Sequence, residues 1–158
     1  FEVIEQESHG DGGVRAAGMP LLVALFVQIA RLAQTSAALP GPGRSRKAGQ
    51  IERFRALLDV HVRQHTPVRS YADALGISVG QLSRLCREVL GMSAQDVVNA
   101  RVVHEAQREL VYSSLSVKQI AAELGFEDEA YFGRFFKKHT GQRPTDFRRE
   151  ARAQLAGA

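Results

Sequence analysis

The stretch QIAAELGFEDEAYFGRFFKKHTG, from Gln119 to Gly141, combines aromatic and basic side chains at high density. It contains four of the eight Phe residues and one of the three Tyr residues of the 158-residue chain, beside four basic side chains. A second copy of the same pattern lies earlier in the chain, and comparing the two copies indicates why aromatic and basic side chains occur together here.

The stretch is one half of an internal repeat. YADALGIS (Tyr71–Ser78) returns as IAAELGFE (Ile120–Glu127), and LSRLCREVLG (Leu82–Gly91) returns as FGRFFKKHTG (Phe132–Gly141). The two offsets are 49 and 50 residues. Each copy predicts a short helix, a Gly-containing turn and a longer helix, which is the order of a helix-turn-helix.

Both copies carry the residue types that this motif needs. Ala72 and Ala121 precede the turn glycine by four residues, where the two helices cross and a large side chain would clash. Gly76 and Gly125 occupy the turn, where a positive φ is required. The stripes predicted to face the core are Leu82, Leu85, Cys86 and Val89 in the first copy and Phe132, Phe135, Phe136 and His139 in the second. The aromatic side chains are therefore predicted mainly to fill a small core, with Phe126 buried under its turn.

The opposite face of each longer helix carries small residues early and an Arg at the same turn of both copies. Small residues let a helix enter a major groove, and Arg pairs with guanine or with phosphate. The candidate nucleic-acid contacts are Gly80, Gln81, Ser83, Arg84 and Arg87 in the first copy and Ala130, Tyr131, Arg134 and Lys137 in the second, where Gly133 lies on the same face.

Helical periodicity elsewhere predicts an all-α fold, in which a long helix joins the two helix-turn-helix units and a few extra helices precede them. An apolar stripe from Ile51 to Val62 predicts a helix that Thr66-Pro67 ends. Ser93 opens the connecting helix, which runs to about Tyr112 and would be about 30 Å long. Because major grooves on one side of B-DNA repeat at about 34 Å, the helices at about 78–90 and 128–139 are predicted to lie in adjacent grooves.

The part before residue 51 differs in composition. Residues 39–50 contain two Pro and three Gly, which predicts a linker that cannot form a helix. Residues 1–39 carry two basic and four acidic residues, whereas residues 40–158 carry 19 basic and 13 acidic ones. The apolar run at 19–32 falls short of the roughly 20 residues that a membrane span needs. It predicts a buried or dimer-forming helix, and no membrane partner is expected.

The segment from about Val68 to Arg149 resembles the DNA-binding domain of AraC/XylS-family transcription regulators. The resemblance rests on the two units, the connecting helix and the run SVKQIAAELGFEDEAYFGRFFKKHTGQRPTDFR, from Ser116 to Arg148. It implies promoter binding and control of transcription by residues 51–158, with no enzymatic activity and no cofactor. It also implies that residues 1–38 are the helical remnant of an N-terminal effector or dimerisation domain.

Several partners follow from the resemblance. It implies double-stranded promoter DNA, RNA polymerase, a homodimer formed through the N-terminal helices, and a cytoplasmic location. Residues 1–38 and HVRQHTPVRSYADALG (His61–Gly76) are similar to regulators of aromatic-acid catabolism, which implies an aromatic acid as the effector of the full-length protein. Family members often carry a larger side chain where Gly80 stands, so base recognition by the first unit is predicted to rest on Ser83 and Arg84. The operator and the sign of regulation stay open.

Other interpretations carry less weight. The sequence has no Gly-rich phosphate loop, nucleophile motif or paired carboxylates that would indicate an enzyme. His61 and His65 are four apart on a predicted helix, a spacing compatible with a metal, but no third ligand accompanies them. Cys86 lies within an apolar stripe, which predicts a small buried side chain rather than a reactive thiol. The competing function is a helical protein-interaction module that uses the helix-turn-helix as a scaffold.

Overall fold

A computed structural model describes residues 42–157, which belong to one compact unit, Ala38–Ala158. Within them lie seven α-helices, one 3-10 helix and no strand, so the all-α prediction is confirmed. The α-helices are α1 Pro42–His61, α2 Val68–Leu75, α3 Val79–Leu90, α4 Ala94–Tyr112, α5 Val117–Glu123, α6 Glu129–Thr140 and α7 Pro144–Ala156, and the 3-10 helix is Val62–Gln64. The helix predicted at 19–32 lies outside the described residues.

Helix α1 begins earlier than the sequence predicted. Residues 42–50, interpreted as a linker that cannot form a helix, are its first part. Proline is compatible with the first helical position, because its φ suits a helix and its missing N–H would have no intrahelical acceptor there. Lys47 forms an ion pair of 2.9 Å with Glu88 on α3, which connects this part of α1 to the first helix-turn-helix unit. The division of the chain at residue 38 stays a prediction.

The first core lies between α1, α2, α3 and the beginning of α4. Its buried residues are Ile51, Phe54, Leu58, Val68, Tyr71, Ala72, Leu82, Leu85, Cys86, Ala94 and Val98. Ala72 is almost fully buried, as expected for a residue at the crossing of α2 and α3. The stripe predicted from Ile51 to Val62 is therefore confirmed, and it fixes α1 across the back of the first unit.

The second core is built largely from aromatic rings held between α5, α6, α7 and the later turns of α4. The ring of Phe132 lies 5.2 Å from that of Phe126 and 5.9 Å from that of Phe136, measured between centroids. Phe147 of α7 lies 5.5 Å from Phe136. Edge-to-face and tilted pairs at these distances are favourable beyond the area that they bury. The predicted core role of Phe126, Phe132 and Phe136 is confirmed.

Both inner stripes are shorter than predicted. Val89 is 40% exposed, because the buried stripe of α3 recurs every four residues from Leu82 and ends at the half-buried Leu90. In α6, Phe135 and His139 are only half-buried. Their rings lie 4.7 Å apart at the margin of the second core rather than inside it.

Helix α7 holds the loop that follows α4. Arg148 donates from Nε to the carbonyl oxygen of Leu110 at 3.0 Å and from Nη2 to that of Leu115 at 2.6 Å. These carbonyls lie at and beyond the end of α4, where intrahelical donors run out. The guanidinium therefore satisfies acceptors in both α4 and the loop, and so fixes where α5 begins.

The segment after α1 departs from the predicted helix. The α-helix ends at His61, not at Thr66-Pro67, and after the 3-10 helix His65 takes a left-handed conformation with φ of 47°. This turn places the ring of His65 4.4 Å from that of Phe126 in the second unit. We call residues Val62–His65 the bridge segment, because they lie against both units.

The two turn glycines have the predicted positive φ but different surroundings. Gly76 has φ of 69°, and a Cβ there would meet nothing within 4 Å. Gly125 has φ of 78°, and a Cβ there would lie 2.8 Å from the carbonyl carbon of Gln64 and 2.9 Å from the backbone nitrogen of His65. Only the second turn is therefore pressed against the bridge segment.

Replacing each turn glycine by alanine should separate conformational strain from a steric clash. Gly76→Ala should cost only the left-handed penalty, about 1–2 kcal/mol. Gly125→Ala should cost roughly a further 1–3 kcal/mol, because backbone atoms of the bridge segment would have to move. Chemical denaturation of both variants gives the comparison, and equal losses would contradict the close packing at Gly125.

Candidate nucleic-acid interface

Helix α3 is the first of the two predicted recognition helices, and its start is fixed by a capping box. Ser78 Oγ accepts from the backbone N–H of Gln81 at 3.1 Å, and Gln81 Oε1 accepts from the backbone N–H of Ser78 at 2.8 Å. This reciprocal pair was not predicted, although a Ser followed three residues later by a Gln is its usual signal. The oxygen of the Gln81 side chain is therefore held by the cap, which leaves its amide N–H groups free to donate to a ligand.

The exposed face of α3 contains the residues predicted for it. Gly80, Gln81, Arg84 and Arg87 are exposed, and Ser83 is half-buried. The buried Leu82 and Cys86 anchor the other side of the helix in the first core.

Helix α6 is the second predicted recognition helix, and it has a simpler cap. Asp128 accepts from the backbone N–H of Tyr131 through Oδ1, and Glu129 adds a carboxylate in the first turn. Both acids suit the positive end of the helix dipole. The predicted contact residues of this helix are all exposed: Ala130, Tyr131, Arg134 and Lys137.

The cations of the two faces differ from those that stabilise the fold. Within residues 42–157, Arg84, Arg87, Arg134 and Lys137 form none of the ion pairs. Their charge is therefore not neutralised by a neighbouring carboxylate, and it can act on an anionic partner.

Gly133 lies in the middle of α6 on the exposed side, and no contact among residues 42–157 requires its small size. A Cβ built at Gly133 would meet no atom within 4 Å. Glycine in a helix interior costs roughly 0.5–1 kcal/mol relative to alanine. This glycine therefore does not stabilise the fold. The close approach of a partner molecule to α6 would explain why a glycine stands at this position.

A cleft of about 280 Å3 lies between the first unit and α6. Tyr131 and Phe135 line it from α6, and Gln95 and Asn99 line it from α4. The amide of Gln95 donates to Oδ1 of Asn99 at 2.9 Å. These two amides were not predicted as site residues. They lie four residues apart on the connecting helix and are polar, whereas Val98 between them is buried. This pattern was a signal that could have identified them.

The two histidines and the cysteine do not form a reactive site. His61 ends α1 and contacts Gln64 through Nδ1, whereas His65 lies beyond the 3-10 helix, so the helix assumed for their spacing does not exist. Cys86 is fully buried, and burial raises the pKa of its thiol to about 11. The prediction of a small buried side chain is therefore confirmed.

In residues 42–157 no three His, Cys, Asp or Glu side chains gather into a metal site. No helix in the same range has the length and apolarity to cross a membrane.

Comparison with known families identifies the two-unit arrangement. The model of a helix-turn-helix domain family matches residues 71–150, which contain both units and the connecting helix. The chain belongs to this AraC-type helix-turn-helix family. The family consists of DNA-binding domains of transcription regulators and not of enzymes.

Curated relatives agree with the family. The chain is 31% identical over 111 residues to the uncharacterised HTH-type transcriptional regulator YijO of Escherichia coli, covering 70% of this chain and 39% of that protein. It is 29% identical over 157 residues to the HTH-type transcriptional activator RhaR of Cronobacter sakazakii, covering 99% of this chain and 55% of that protein. The AraC-type chain thus spans about half or less of these relatives.

A solved structure has the same fold. The DNA-binding domain of the global transcriptional factor AdpA, crystallised in complex with a target DNA, superposes with a TM-score of 0.61 at 24% identity. The match covers 69% of this chain and 97% of that domain. The narrower resemblance to regulators of aromatic-acid catabolism stays a prediction.

Proposed function

We propose that this AraC-type domain binds promoter DNA sequence-specifically by placing α3 and α6 in adjacent major grooves, and that it serves a transcription regulator. The observation that carries the proposal is the pair of exposed faces with unpaired cations, at equivalent positions of two units on one connecting helix. That helix has 19 residues, which makes it about 28 Å long at 1.5 Å per residue. This length is close to the roughly 34 Å that separates successive major grooves on one side of B-DNA.

The chemistry of the two faces gives each residue a role. Arg84 and Arg134 reach the edge of guanine or a phosphate oxygen, because a guanidinium can donate two parallel hydrogen bonds to either. Gly80, Ala130 and Gly133 let the helix backbone approach the groove. Arg87 and Lys137 lie one turn further along, where they face phosphate. Ser83 and the amide N–H groups of Gln81 are the remaining polar donors of the first face.

The cleft between the units belongs to the same surface. Tyr131 lines the cleft, and it offers both a ring and a hydroxyl group to the DNA. Gln95 and Asn99 offer neutral amide donors between the two recognition helices. Neutral donors fit phosphate contacts, which position a protein on the duplex without specifying sequence.

The full-length protein has further proposed partners. RNA polymerase, a homodimer formed through the N-terminal helices and a small effector, an aromatic acid in the narrower resemblance, follow from the family likeness alone. RhaR is named an activator, which favours activation for the full-length protein.

DNA binding by the full chain should depend steeply on salt. Each phosphate that Lys or Arg neutralises releases counterions, so the log–log slope of affinity against salt should be about −0.9 per contact. Fluorescence anisotropy with duplexes selected from a random library gives this slope. A flat response, or no selected duplex, would favour the protein-interaction module.

Arg84→Ala and Arg134→Ala test the two faces directly. If each Arg contacts guanine, each substitution should cost roughly 1–3 kcal/mol on the selected site and relax the preference at one base pair. If each contacts only phosphate, the loss should be similar on all duplexes and the salt slope should shrink by about one. The two losses should add, because the faces are far apart. Wild-type affinity in both single variants would remove these faces from the interface.

Gly133→Ala should have opposite effects on stability and on binding. The variant should be roughly 0.5–1 kcal/mol more stable, because alanine is the better helix former, yet it should bind the selected duplex more weakly. Gly49→Ala is the matched control, since Gly49 is also helical with nothing within 4 Å of an added Cβ. The control should gain stability and keep its affinity. Unchanged binding by Gly133→Ala would show that α6 does not approach DNA through this residue.

A further inference from the structure

The bridge segment carries an arginine that binds three carboxylates from two other helices. Arg63 lies 2.8 Å from Glu105 and 2.6 Å from Glu109 on α4, both through Nη2. Its Nη1 lies 2.9 Å from Glu123 at the end of α5. One guanidinium therefore joins the segment that follows α1 to the connecting helix and to the second unit.

Glu105 is the buried centre of this ion-pair network. It is only 4% exposed, and it also accepts from Arg101 at 3.0 Å and from Arg108 at 3.1 Å. Arg101 in turn pairs with Asp59 on α1 at 2.9 Å. Burial alone raises the pKa of Glu105, but the three arginines outweigh this effect and lower it. The carboxylate thus stays charged, and it ties α1 and the bridge segment to the middle of α4.

The same segment is held sterically. The turn glycine Gly125 lies so close to the backbone of Gln64 and His65 that no Cβ could be placed there without a shift. The ring of His65 faces Phe126, and the rings of Tyr131 and Phe135 on α6 lie 6.0 and 6.5 Å from it. The bridge segment therefore contacts α4, the turn and the recognition helix.

These contacts form a second connection between the units. The main helix packing falls into two groups, α1 to α3 and α5 to α7, which share α4. A single shared helix fixes the distance between two groups better than their rotation about its axis, because a helix bends and twists over its length. A second connection beside the helix restrains that rotation.

We propose that Arg63 is a positioning residue that fixes the separation and rotational phase of the two recognition helices, so that the domain prefers one spacing between two half-sites. This rests on the proposed function, because it assumes that α3 and α6 each occupy a groove. One added base pair moves a half-site about 3.4 Å along the DNA axis and rotates it about the axis. A domain with a fixed phase discriminates against that change, and a loosened domain tolerates it.

The experiment compares spacing preference with affinity for a single half-site. A bipartite duplex is selected from a random library with the wild-type chain, and then lengthened or shortened by one base pair between its halves. In Arg63→Met the ratio of affinities between the selected and the altered spacing should fall roughly five-fold or more. Affinity for a duplex with one half-site should stay near that of the wild type. Arg55→Met is the control, because it removes the same charge from an ion pair confined to α1.

A second variant and a distance measurement test the positioning role of Arg63 independently. Glu123→Ala removes only the contact with α5 at an exposed carboxylate, so it should fold and should lower the spacing ratio in the same direction. Spin labels on Arg87→Cys and Lys137→Cys report the distance between α3 and α6 without DNA, since the buried Cys86 resists labelling. Arg63→Met should broaden that distance distribution, and Arg55→Met should not.

The possible outcomes separate the two proposals. If the wild type selects no duplex, the proposed function fails, and the spin-label distances alone decide whether Arg63 positions the helices. If Arg63→Met weakens binding to every spacing and to the half-site equally, Arg63 is only a structural residue and the inference is wrong. An unchanged spacing ratio in both variants, or an unchanged distance distribution, would overturn it as well.

Discussion

Helix α4 supplies apolar side chains to two cores at once, and the positions of α3 and α6 depend on this arrangement. Its first turns contribute Ala94 and Val98 to the first core. Its later turns bury Val102, Ala106 and Leu110 where α5, α6 and α7 pack. Each core then holds one of the helices α3 and α6 by its apolar stripe and leaves the opposite face exposed. In the proposed function, this arrangement presents two surfaces of one chain to the same duplex.

The bridge segment provides a second connection between the two units, beside the shared helix α4. An ion-pair network between charged groups that are partly buried is directional, because each carboxylate must lie where a guanidinium N–H points. Arg63 and Glu105 satisfy this condition between the bridge segment and α4, and the contact of Gly125 with His65 adds a steric one. The two units are thus related by a defined geometry, which is the property that the proposed recognition of a two-part DNA site requires.

Much of the fold could be predicted because its signals are local. The repeat placed two helix-turn-helix units, and the predicted ranges 78–90 and 128–139 and the predicted start at Ser93 placed the starts of α3, α6 and α4 within one residue. The errors have physical causes as well. Pro42 starts α1 because proline suits the first helical position, although the glycines around it suggested a linker. Phe135 was expected in the core because its helical phase matches Leu85, but it lies at the margin of the second core.

The sequence by itself determined most of the helices, the positive φ of both turns and the main part of each buried stripe, because each follows from residues within a turn or two of one another. The tertiary structure alone decided how the two copies differ. Gly76 and Gly125 are equivalent in the repeat, yet only Gly125 touches the bridge segment. Arg63 meets Glu105 across 42 residues and Glu123 across 60. Such contacts join residues that no local pattern relates, and they exist only once the chain has folded around α4.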